Sequence, residues 1–574
     1  MISRRSLVAT LAASAAVAPF TWATHPMRAH PVVRPKLHAL ILGINTYAGR
    51  VGKREPGSGQ ITCRPIRQLK GAVNDARAIE TAVRPLAVTT RVMLEREVTR
   101  TSFFVAWEEL VKKAGAGDIL LLTYAGHGGL EPERVHGSET SGYDQTLIFG
   151  GFDCLQRADR VERVVDDEIH QMLLAAEKKG VRVLFVADCC HSGTLTRSVD
   201  PRLGAELSYR AIDRYDVAAE LSGSANRSNS PPPAPTELSN VVFFAASQDH
   251  ELVPEIEIDG RPHGALSVAF ARALSAQADS NSDGIITGLE LATYVRRYIR
   301  AITDSGQHPN VRWPTIDLRS GLSLTEPLVY LPTGLAASAD EHASSELGAT
   351  IRLRVINAAP GEANRIVGAL KGAELAGAGE EADLTWDVST GDALNRTGQR
   401  LATGIKRENL QFVIERSRTV GAILRWAAER SLDLRLLLPG EGSDALPSSQ
   451  SDRVHASGAR LTCIVGGMRH PHFVLFNITG DATVQHLYPL RRQRDPPKID
   501  ISRPFVVPPM EVKPPFGADH VVAIAAASPL DRLTDTLETI DGRRAVNLLF
   551  KVFADLMRMR NIQVGAQAIY TAEK

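Results

Sequence analysis

The sequence predicts an α/β fold: a mostly parallel sheet flanked by helices, followed by a separate, mainly β (α+β) C-terminal domain. From Leu37 onward, near-continuous apolar runs alternate with helix-like patterns, which is typical of strands buried on both faces of a parallel sheet. Residues 331–347, rich in Ala, Ser and Glu, then interrupt this alternation. Beyond them, Ile351–Val355 and His472–Asn477 alternate between apolar and polar residues, which favours half-buried strands.

Each element of the first region has a local signal. The predicted strands are short and apolar, and several of the predicted helices end at a glycine, such as Gly115 or Gly180. The predicted strands are Leu37–Ile44, Val88–Leu94, Asp118–Tyr124, Val181–Val186 and Val241–Ala246. The predicted helices are Ala72–Val83, Thr101–Ala114, Asp166–Lys179, Gly264–Ala276, Gly288–Ile302 and, in the C-terminal region, Val546–Met557.

Length and composition limit the possible classes of protein. A chain of 574 residues is too long for one hydrophobic core, so several domains are expected. Since 66 basic residues balance 65 acidic ones, no electrostatic argument favours nucleic acid or an anionic membrane as a partner. Five widely spread cysteines, without a CxxC pair, indicate neither a disulfide framework nor a zinc site.

The N-terminus has the pattern of an export signal. Ser3-Arg4-Arg5 precedes the short apolar stretch Leu7–Ala18, and small residues up to Ala29 offer cleavage sites. The adjacent arginines resemble a twin-arginine signal, although Leu7 stands where that motif usually has Phe. The alternative is an uncleaved leader or anchor, since the run is short for a membrane span. We predict a signal over residues 1–29, no other transmembrane span, and a periplasmic or secreted bacterial protein.

Two segments carry the chemistry of a cysteine hydrolase. The motif Tyr124–Gly129 contains His127 and Gly128, and the motif Ala187–Gly193 contains Cys190. An imidazole can take the proton of a thiol, and backbone N–H groups beside a glycine can stabilise an oxyanion. Because each motif follows a predicted parallel strand, both belong at the carboxyl edge of the sheet, where ligands bind. The alternative for Cys190 by itself is a small buried apolar residue.

The set of motifs resembles the caspase-like cysteine peptidases of clan CD, in particular metacaspases and their bacterial relatives. The resemblance covers roughly residues 36–324, in the expected order. The matching segments are Leu40–Asn45, Leu69–Ala76, Tyr124–Gly128, Val165–Ile169, Asp188–Gly193 and Ala246–Asp249. It implies a peptidase domain over 36–325. The composition break and the strand patterns described above predict, in addition, a linker over 331–347 and C-terminal β-rich structure over 348–574.

The resemblance also implies the roles of particular residues. It assigns the nucleophile to Cys190, the base to His127, and the oxyanion hole to the backbone N–H groups of Gly128 and Cys190. It maps an acidic substrate pocket onto Asp75 and Asp188, which implies a protein or peptide substrate with Arg or Lys before the scissile bond. The alternative for each aspartate is a helix cap or a turn.

The long polar loop over 194–238 is a candidate for self-cleavage. It contains five arginines, and a peptidase selective for basic residues could cut its own chain after one of them. They are Arg197, Arg202, Arg210, Arg214 and Arg227.

Calcium is a candidate ligand, although the resemblance requires no cofactor. Residues 279–290 fit the pattern of an EF-hand loop; its ligand positions are Asp279, Asn281, Asp283, Ile285, Thr287 and Glu290. The alternative is a polar turn that caps the next helix. Some metacaspases are also activated by calcium, and Asp144, Asp166 and Asp167 match part of that acidic set.

The segments Phe473–Asn477, Leu487–Pro489 and Pro514–Ile524 resemble a domain of unknown function that often follows bacterial caspase-like or kinase domains. That resemblance covers about 461–530 and names no activity. We expect the region to bind another protein, a substrate or an envelope component. A second hypothesis stays open: a catalytically silent caspase-fold scaffold that acts through its C-terminal domain.

Overall fold

The structure is a computed structural model. It describes residues 34–55, 60–133, 141–156, 161–190, 208–212, 214–216, 238–247, 253–281, 283–303, 307, 309–314, 326–332, 350–377, 380–430, 432–437, 454–490, 495, 498–559 and 561–573. The predicted export signal lies outside the described residues, as do most of the loop over 194–238 and most of the linker over 331–347.

The strands and helices of the first region alternate along the chain. The strands are β1 (Leu37–Gly43), β2 (Arg50–Arg54), β3 (Ile61–Pro65), β4 (Ala87–Leu94), β5 (Ile119–Ala125), β6 (Gly128–Pro132), β7 (Tyr143–Ile148), β8 (Arg163–Val165), β9 (Arg182–Asp188), β10 (Val241–Ala245), β11 (Ile256–Ile258), β12 (Arg261–His263), β13 (Ile285–Thr287), β14 (Asn310–Arg312) and β15 (Pro327–Tyr330). The helices are α1 (Ala72–Val83), α2 (Arg100–Lys113), α3 (Asp166–Lys178), α4 (Ala265–Arg272) and α5 (Gly288–Ile302).

The C-terminal region contains more strands than helices. The strands are β16 (Ile351–Ile356), β17 (Ala373–Leu375), β18 (Leu384–Asp387), β19 (Ala393–Asn395), β20 (Arg400–Ala402), β21 (Asp433–Leu437), β22 (Val454–Ala456), β23 (Arg460–Gly466), β24 (His472–Ile478), β25 (Val484–Tyr488), β26 (Phe505–Glu511), β27 (Ala518–Ala526) and β28 (Ile562–Ala572). The helices are α6 (Glu362–Val367), α7 (Leu410–Glu429), α8 (Asp531–Ile540) and α9 (Asn547–Met557).

A mostly parallel sheet forms the centre of the first region. Its six strands lie in the order β14-β10-β9-β5-β1-β4, and all are parallel except the edge strand β14. Every residue of β1 and β5 is buried, as expected of apolar strands covered on both faces. The predicted fold class is therefore confirmed. The edge strand β14 was not predicted, because three residues carry too little pattern.

Helices cover both faces of this sheet. Since neighbouring residues of a strand point to opposite faces, β1 contributes Ile41 to one core and Leu42 to another. The first core includes Ile79 of α1 and Phe270 of α4, and the second includes Trp107 of α2. Because helices cover both faces, a ligand can reach the sheet only at the ends of its strands.

The ends of β5 and β9 lie side by side. The two strands are parallel neighbours, and Ala125, the last residue of β5, is paired with Asp188, the last residue of β9. Next to them, β6, β7 and β8 form a small antiparallel sheet that begins at Gly128. Residues that follow β5 and β9 are thereby brought to the same edge.

The C-terminal region is mainly β, as predicted. Its strands form two five-stranded sheets and one three-stranded sheet. The strand predicted over His472–Asn477 exists as β24, but it is buried on both faces rather than half-buried. It lies between β25 and β27, with Val474 and Phe476 in one hydrophobic cluster and Phe473 and Leu475 in another.

Two further elements follow from local rules. The proline-rich stretch after Phe505 belongs to β26, an edge strand, where a missing N–H does not interrupt a central ladder. The twenty-residue helix α7 was not predicted. No helix among the described residues is long and apolar enough to cross a membrane.

The two regions share a hydrophobic core. Helix α5 of the first region packs on α7 of the C-terminal region, and one cluster of buried residues includes Val295 and Ile299 from α5 together with Val420 and Ile423 from α7. Residues 36–574 accordingly group into one compact unit.

We predict that Ile299→Ala destabilises the whole unit. Ile299 is completely buried in the shared cluster, so its truncation should lower the free energy of unfolding by about 2–5 kcal/mol. The matched control is Leu289→Ala on the same helix, where the side chain is 46% exposed and a change below about 1 kcal/mol is expected. Denaturant unfolding measures both, and two separate transitions with only one displaced would contradict the shared core.

Candidate active site

Cys190 and its neighbour Cys189 face opposite sides of the chain. Cys189 packs in the same core as Tyr47 and Tyr124, whereas Cys190 packs in the core that contains Tyr209 and Val253. The N–H of Val253 donates to Cys190 Sγ at 2.7 Å. Burial raises the pKa of the Cys190 thiol to about 12, although the bond from Val253 opposes this. The thiol is therefore neutral at pH 7.

His127 is completely buried just beyond β5. Its Nε2 lies 2.7 Å from the carbonyl oxygen of Arg67. Since a carbonyl only accepts, Nε2 carries the proton, and Nδ1 keeps its lone pair. Burial lowers the pKa of His127 to about 4, so the imidazole is neutral at pH 7. Nδ1 is buried and makes no hydrogen bond, which leaves it available to accept a proton.

The backbone N–H groups of Gly128 and Cys190 converge on one oxygen. Each donates to the carbonyl oxygen of Arg210 at 3.0 Å. Two N–H groups that converge on one carbonyl are the geometry that stabilises an oxyanion during acyl transfer. The carbonyl of Arg210 thus lies where the reacting carbonyl of a substrate would lie.

The segment Ser208–Ile212 crosses this edge between two isolated β-bridges, with a bend at Arg210. The N–H of Arg210 donates to Val253 O at 3.0 Å, and the N–H of Glu255 donates to Ser208 O at 2.8 Å. Tyr209 and Pro254 form an antiparallel bridge between these two bonds. On the other side of Arg210, the N–H of Ile212 donates to Gly128 O at 2.9 Å. The segment is held on both sides of the Arg210–Ala211 peptide bond.

The side chain of Arg210 fills a pocket of carboxylates. Its guanidinium forms an ion pair with Asp75 and lies 3.3 Å from an oxygen of Asp188 and 3.3 Å from one of Glu255. The Arg210 side chain has no exposed surface. Burial lowers the pKa of the guanidinium, but the three carboxylates outweigh it and raise that pKa well above its usual value. Burial raises the pKa of Asp188, despite the charge of Arg210.

Local hydrogen bonds fix the two aspartates of the pocket. Asp75 accepts from the N–H of Gly264 and lies 2.8 Å from His263 Nδ1. Asp188 accepts from the N–H and the hydroxyl of Ser267, at 2.8 and 2.6 Å. A Cβ atom on Gly264 would lie 2.3 Å from Asp188, so only glycine leaves room for the pocket here.

Glu255 closes the pocket at the start of α1. Its carboxylate accepts from the backbone N–H groups of Lys70 and Gly71, at 2.8 and 2.7 Å. The N-terminus of a helix favours a negative charge, so α1 holds this carboxylate through its first amides. The hairpin β11–β12, next to Glu255, contacts the C-terminal region through Glu257. The N–H of Glu257 donates to Glu381, and the carboxylate of Glu257 forms an ion pair with Arg352.

Residues 38–198 match the family model of the metacaspase, peptidase C14 domain. This segment is therefore similar to a metacaspase-type, caspase-like peptidase domain. A domain of that family is a cysteine peptidase, and its substrates are proteins. The matched segment contains Asp75, His127, Gly128, Asp188 and Cys190, while Arg210 and Glu255 lie beyond it.

Metacaspases are also found among the similar proteins. Metacaspase-1 of Pyricularia oryzae is 28% identical over 290 residues, which is 44% of this chain and 67% of that protein. Metacaspase-1A of Aspergillus fumigatus is 26% identical over 312 residues, which is 48% of this chain and 69% of that protein. A crystal structure from Geobacter sulfurreducens, 22% identical with a TM-score of 0.32, covers 50% of this chain and 96% of its own.

The first region brings residues predicted for catalysis and for the pocket to Arg210. The N–H groups of Cys190 and Gly128 meet its carbonyl, and His127 directly precedes Gly128. Asp75 and Asp188 lie around its guanidinium. Their catalytic and binding roles stay predictions.

Sequence reasoning missed three groups of this site. The group of Arg67 that contacts His127 is a backbone carbonyl, which no residue type reveals. Glu255 accepts from Gly71, which is distant in sequence, so no local pattern connects the two. Arg210 was one of five arginines in a long loop, and nothing local distinguished it.

The oxygens of the predicted calcium loop bond within the loop itself. Asp279 accepts from the N–H groups of Asp283 and Gly284. The carboxylate of Glu290 accepts from the hydroxyls of Ser280 and Thr287. Thr287 is the N-cap residue of α5, so the bond to Thr287 belongs to the helix cap. Among the described residues, no three His, Cys, Asp or Glu side chains are grouped to hold a metal ion. Calcium binding by this loop stays a prediction.

We predict that Cys190 resists alkylation until Arg210 leaves its pocket. At pH 7 a thiol with a pKa of about 12 has almost no thiolate, and the thiolate is the reactive form. Arg210→Ala should open the site and accelerate iodoacetamide labelling of Cys190 by at least about 10-fold. Mass spectrometry of the Cys190 peptide measures this, with partly exposed Cys63 as internal reference.

Arg214→Ala is the matched control for this labelling. Arg214 is exposed and stacks on the ring of Tyr143 at 4.3 Å, outside the pocket. Equal labelling rates for all three chains would mean that Arg210 does not shield the thiol.

Proposed function

We propose that this chain is an exported cysteine endopeptidase that cleaves peptide bonds after Arg or Lys. The supporting observation is the completely buried Arg210, whose carbonyl accepts from Gly128 and Cys190 while its side chain meets Asp75, Asp188 and Glu255. A pocket with three carboxylates favours a cation and rejects an acidic side chain by repulsion. Of the two cations, Arg makes the better planar contacts.

The proposed reaction uses the neutral thiol and imidazole described above. Cys190 Sγ attacks the carbonyl carbon as its proton passes to His127 Nδ1, and the carbonyl oxygen gains negative charge that the two N–H groups stabilise. When the C–N bond breaks, His127 returns the proton to the leaving nitrogen and a thioester remains. Water then attacks the thioester with His127 as base and restores the thiol.

We propose further that Arg210–Ala211 is the bond at which the chain cleaves itself. The segment lies in the site with backbone hydrogen bonds on both sides of this bond, so the intact chain blocks the site and is also its first substrate. Proximity makes such an intramolecular reaction favourable.

Short fluorogenic peptides test the preference for basic residues. We expect hydrolysis of Arg and Lys peptides and none of Asp peptides, and no hydrolysis by Cys190→Ala. Asp188→Asn removes one charge of the pocket but can still accept from Ser267, and it should lower kcat/KM for Arg peptides by about 10- to 100-fold. Asp531→Asn, at an exposed position of α8, is the matched control.

Other outcomes of this assay would change the assignment. Cleavage of Asp peptides alone would overturn the pocket, and no cleavage of any peptide would favour the silent scaffold acting through its C-terminal region. Adding calcium to the same assay tests the proposed modulation, with Glu290→Gln as the comparison. Fractionation of cells that express the full chain tests export through the signal over 1–29.

Self-cleavage gives a second test, by sequencing new N-termini. The purified chain should acquire an N-terminus that begins Ala211-Ile212, whereas Cys190→Ala and Arg210→Glu should stay intact. Arg214→Ala should be cleaved like the wild type, because Arg214 lies outside the pocket. A chain that cleaves Arg peptides while its Arg210–Ala211 bond stays intact would contradict self-processing.

A further inference from the structure

The chain beyond the scissile bond is held as firmly as the chain before it. After Ile212, the N–H of Tyr215 donates to Leu130 O at 3.0 Å, and the N–H of Asp216 donates to Gly52 O at 2.9 Å. Ala211 and Gly128 form a parallel bridge, so the segment adds to the edge of β6. This backbone pairing sets how far each residue lies from the scissile bond.

Tyr215, the fifth residue after that bond, is buried in a polar pocket. Its hydroxyl donates to Glu131 Oε2 at 2.8 Å and lies 3.0 Å from Thr146 Oγ1. Its ring meets Phe152 edge-on, with 5.0 Å between the centroids. Only 1% of the Tyr215 side chain is exposed.

The walls of this pocket do not depend on the segment. Glu131 is held by an ion pair with Arg163, whose Nη2 donates to the other carboxylate oxygen at 2.8 Å, and both side chains are 1% exposed. Glu131 belongs to β6, Thr146 to β7 and Arg163 to β8, the small sheet beside the catalytic edge. A fixed buried acceptor rejects a ligand that lacks the matching hydroxyl, because the acceptor is then left without its donor.

We propose that this cleft also selects its substrates by a tyrosine five residues after the scissile bond, held by Glu131, Thr146 and Phe152. This proposal rests on the proposed function, since it adds a second recognition site to the same cleft. Substrates would combine a basic residue before the bond with an aromatic hydroxyl after it. Arg214 lies between these two sites, but its side chain is exposed. It stacks on Tyr143 and does not enter a buried pocket as Tyr215 does.

Internally quenched peptides that carry the sequence of residues 208–216 test this proposal. The enzyme is the full chain with Arg210→Ala and Tyr215→Ala, so that its own segment is not a substrate and its own tyrosine does not occupy the pocket. Replacing the peptide's tyrosine by Phe should lower kcat/KM by about 10-fold, and by Ala about 100-fold, mainly through KM. Replacing the peptide's second arginine, the one that corresponds to Arg214, by Ala is the matched control and should have little effect.

The enzyme variant Thr146→Val separates recognition from stability. It should weaken cleavage of the tyrosine peptide and leave the Phe peptide unchanged, whereas a general loss of structure would affect both. Equal cleavage of the tyrosine, Phe and Ala peptides would overturn the proposal.

A binding measurement distinguishes failure of this proposal from failure of the proposed function. Fluorescence anisotropy requires no catalysis. It uses labelled peptides and the full chain carrying Cys190→Ala, Arg210→Ala and Tyr215→Ala, in which the pocket holds no tyrosine of its own. Tighter binding of the tyrosine peptide than of the Phe peptide supports the pocket even if no peptide is cleaved. Equal binding of the two overturns it even if both are cleaved.

Discussion

The ion pair between the buried Arg210 guanidinium and Asp75 organises the site. Arg210 has no exposed surface, so its charge is stable there only because carboxylates surround it. Those carboxylates come from α1, from the end of β9 and from Glu255 before β11. One side chain therefore ties together a helix, a central strand and a hairpin that are distant in sequence.

The same segment covers the predicted catalytic pair, Cys190 and His127. When the segment covers the site, burial holds Cys190 as a thiol and His127 as a neutral imidazole. The N–H groups that would stabilise an oxyanion are already directed at a carbonyl, and they require no rearrangement for reaction. The predicted site is thus preorganised, and the chain's own segment occupies it.

The C-terminal region is part of this arrangement rather than a remote appendage. It packs on α5 through a shared hydrophobic cluster, and its Glu381 and Arg352 hold Glu257 in the hairpin next to the pocket. The C-terminal region therefore contacts the hairpin that follows Glu255, one of the three carboxylates around Arg210.

The sequence by itself determined the parallel strands of the central sheet, because runs such as Leu37–Gly43 have no polar face and must be buried on both sides. It also placed His127 and Cys190 at the carboxyl edge, since each follows such a run. It did not distinguish Arg210 from the other arginines of its loop, nor did it indicate Glu255, the Arg67 carbonyl or helix α7. Only the tertiary structure decided the three groups of the site, because their contacts join residues 45 to 185 positions apart, and burial of a charge depends on partners that no local pattern contains.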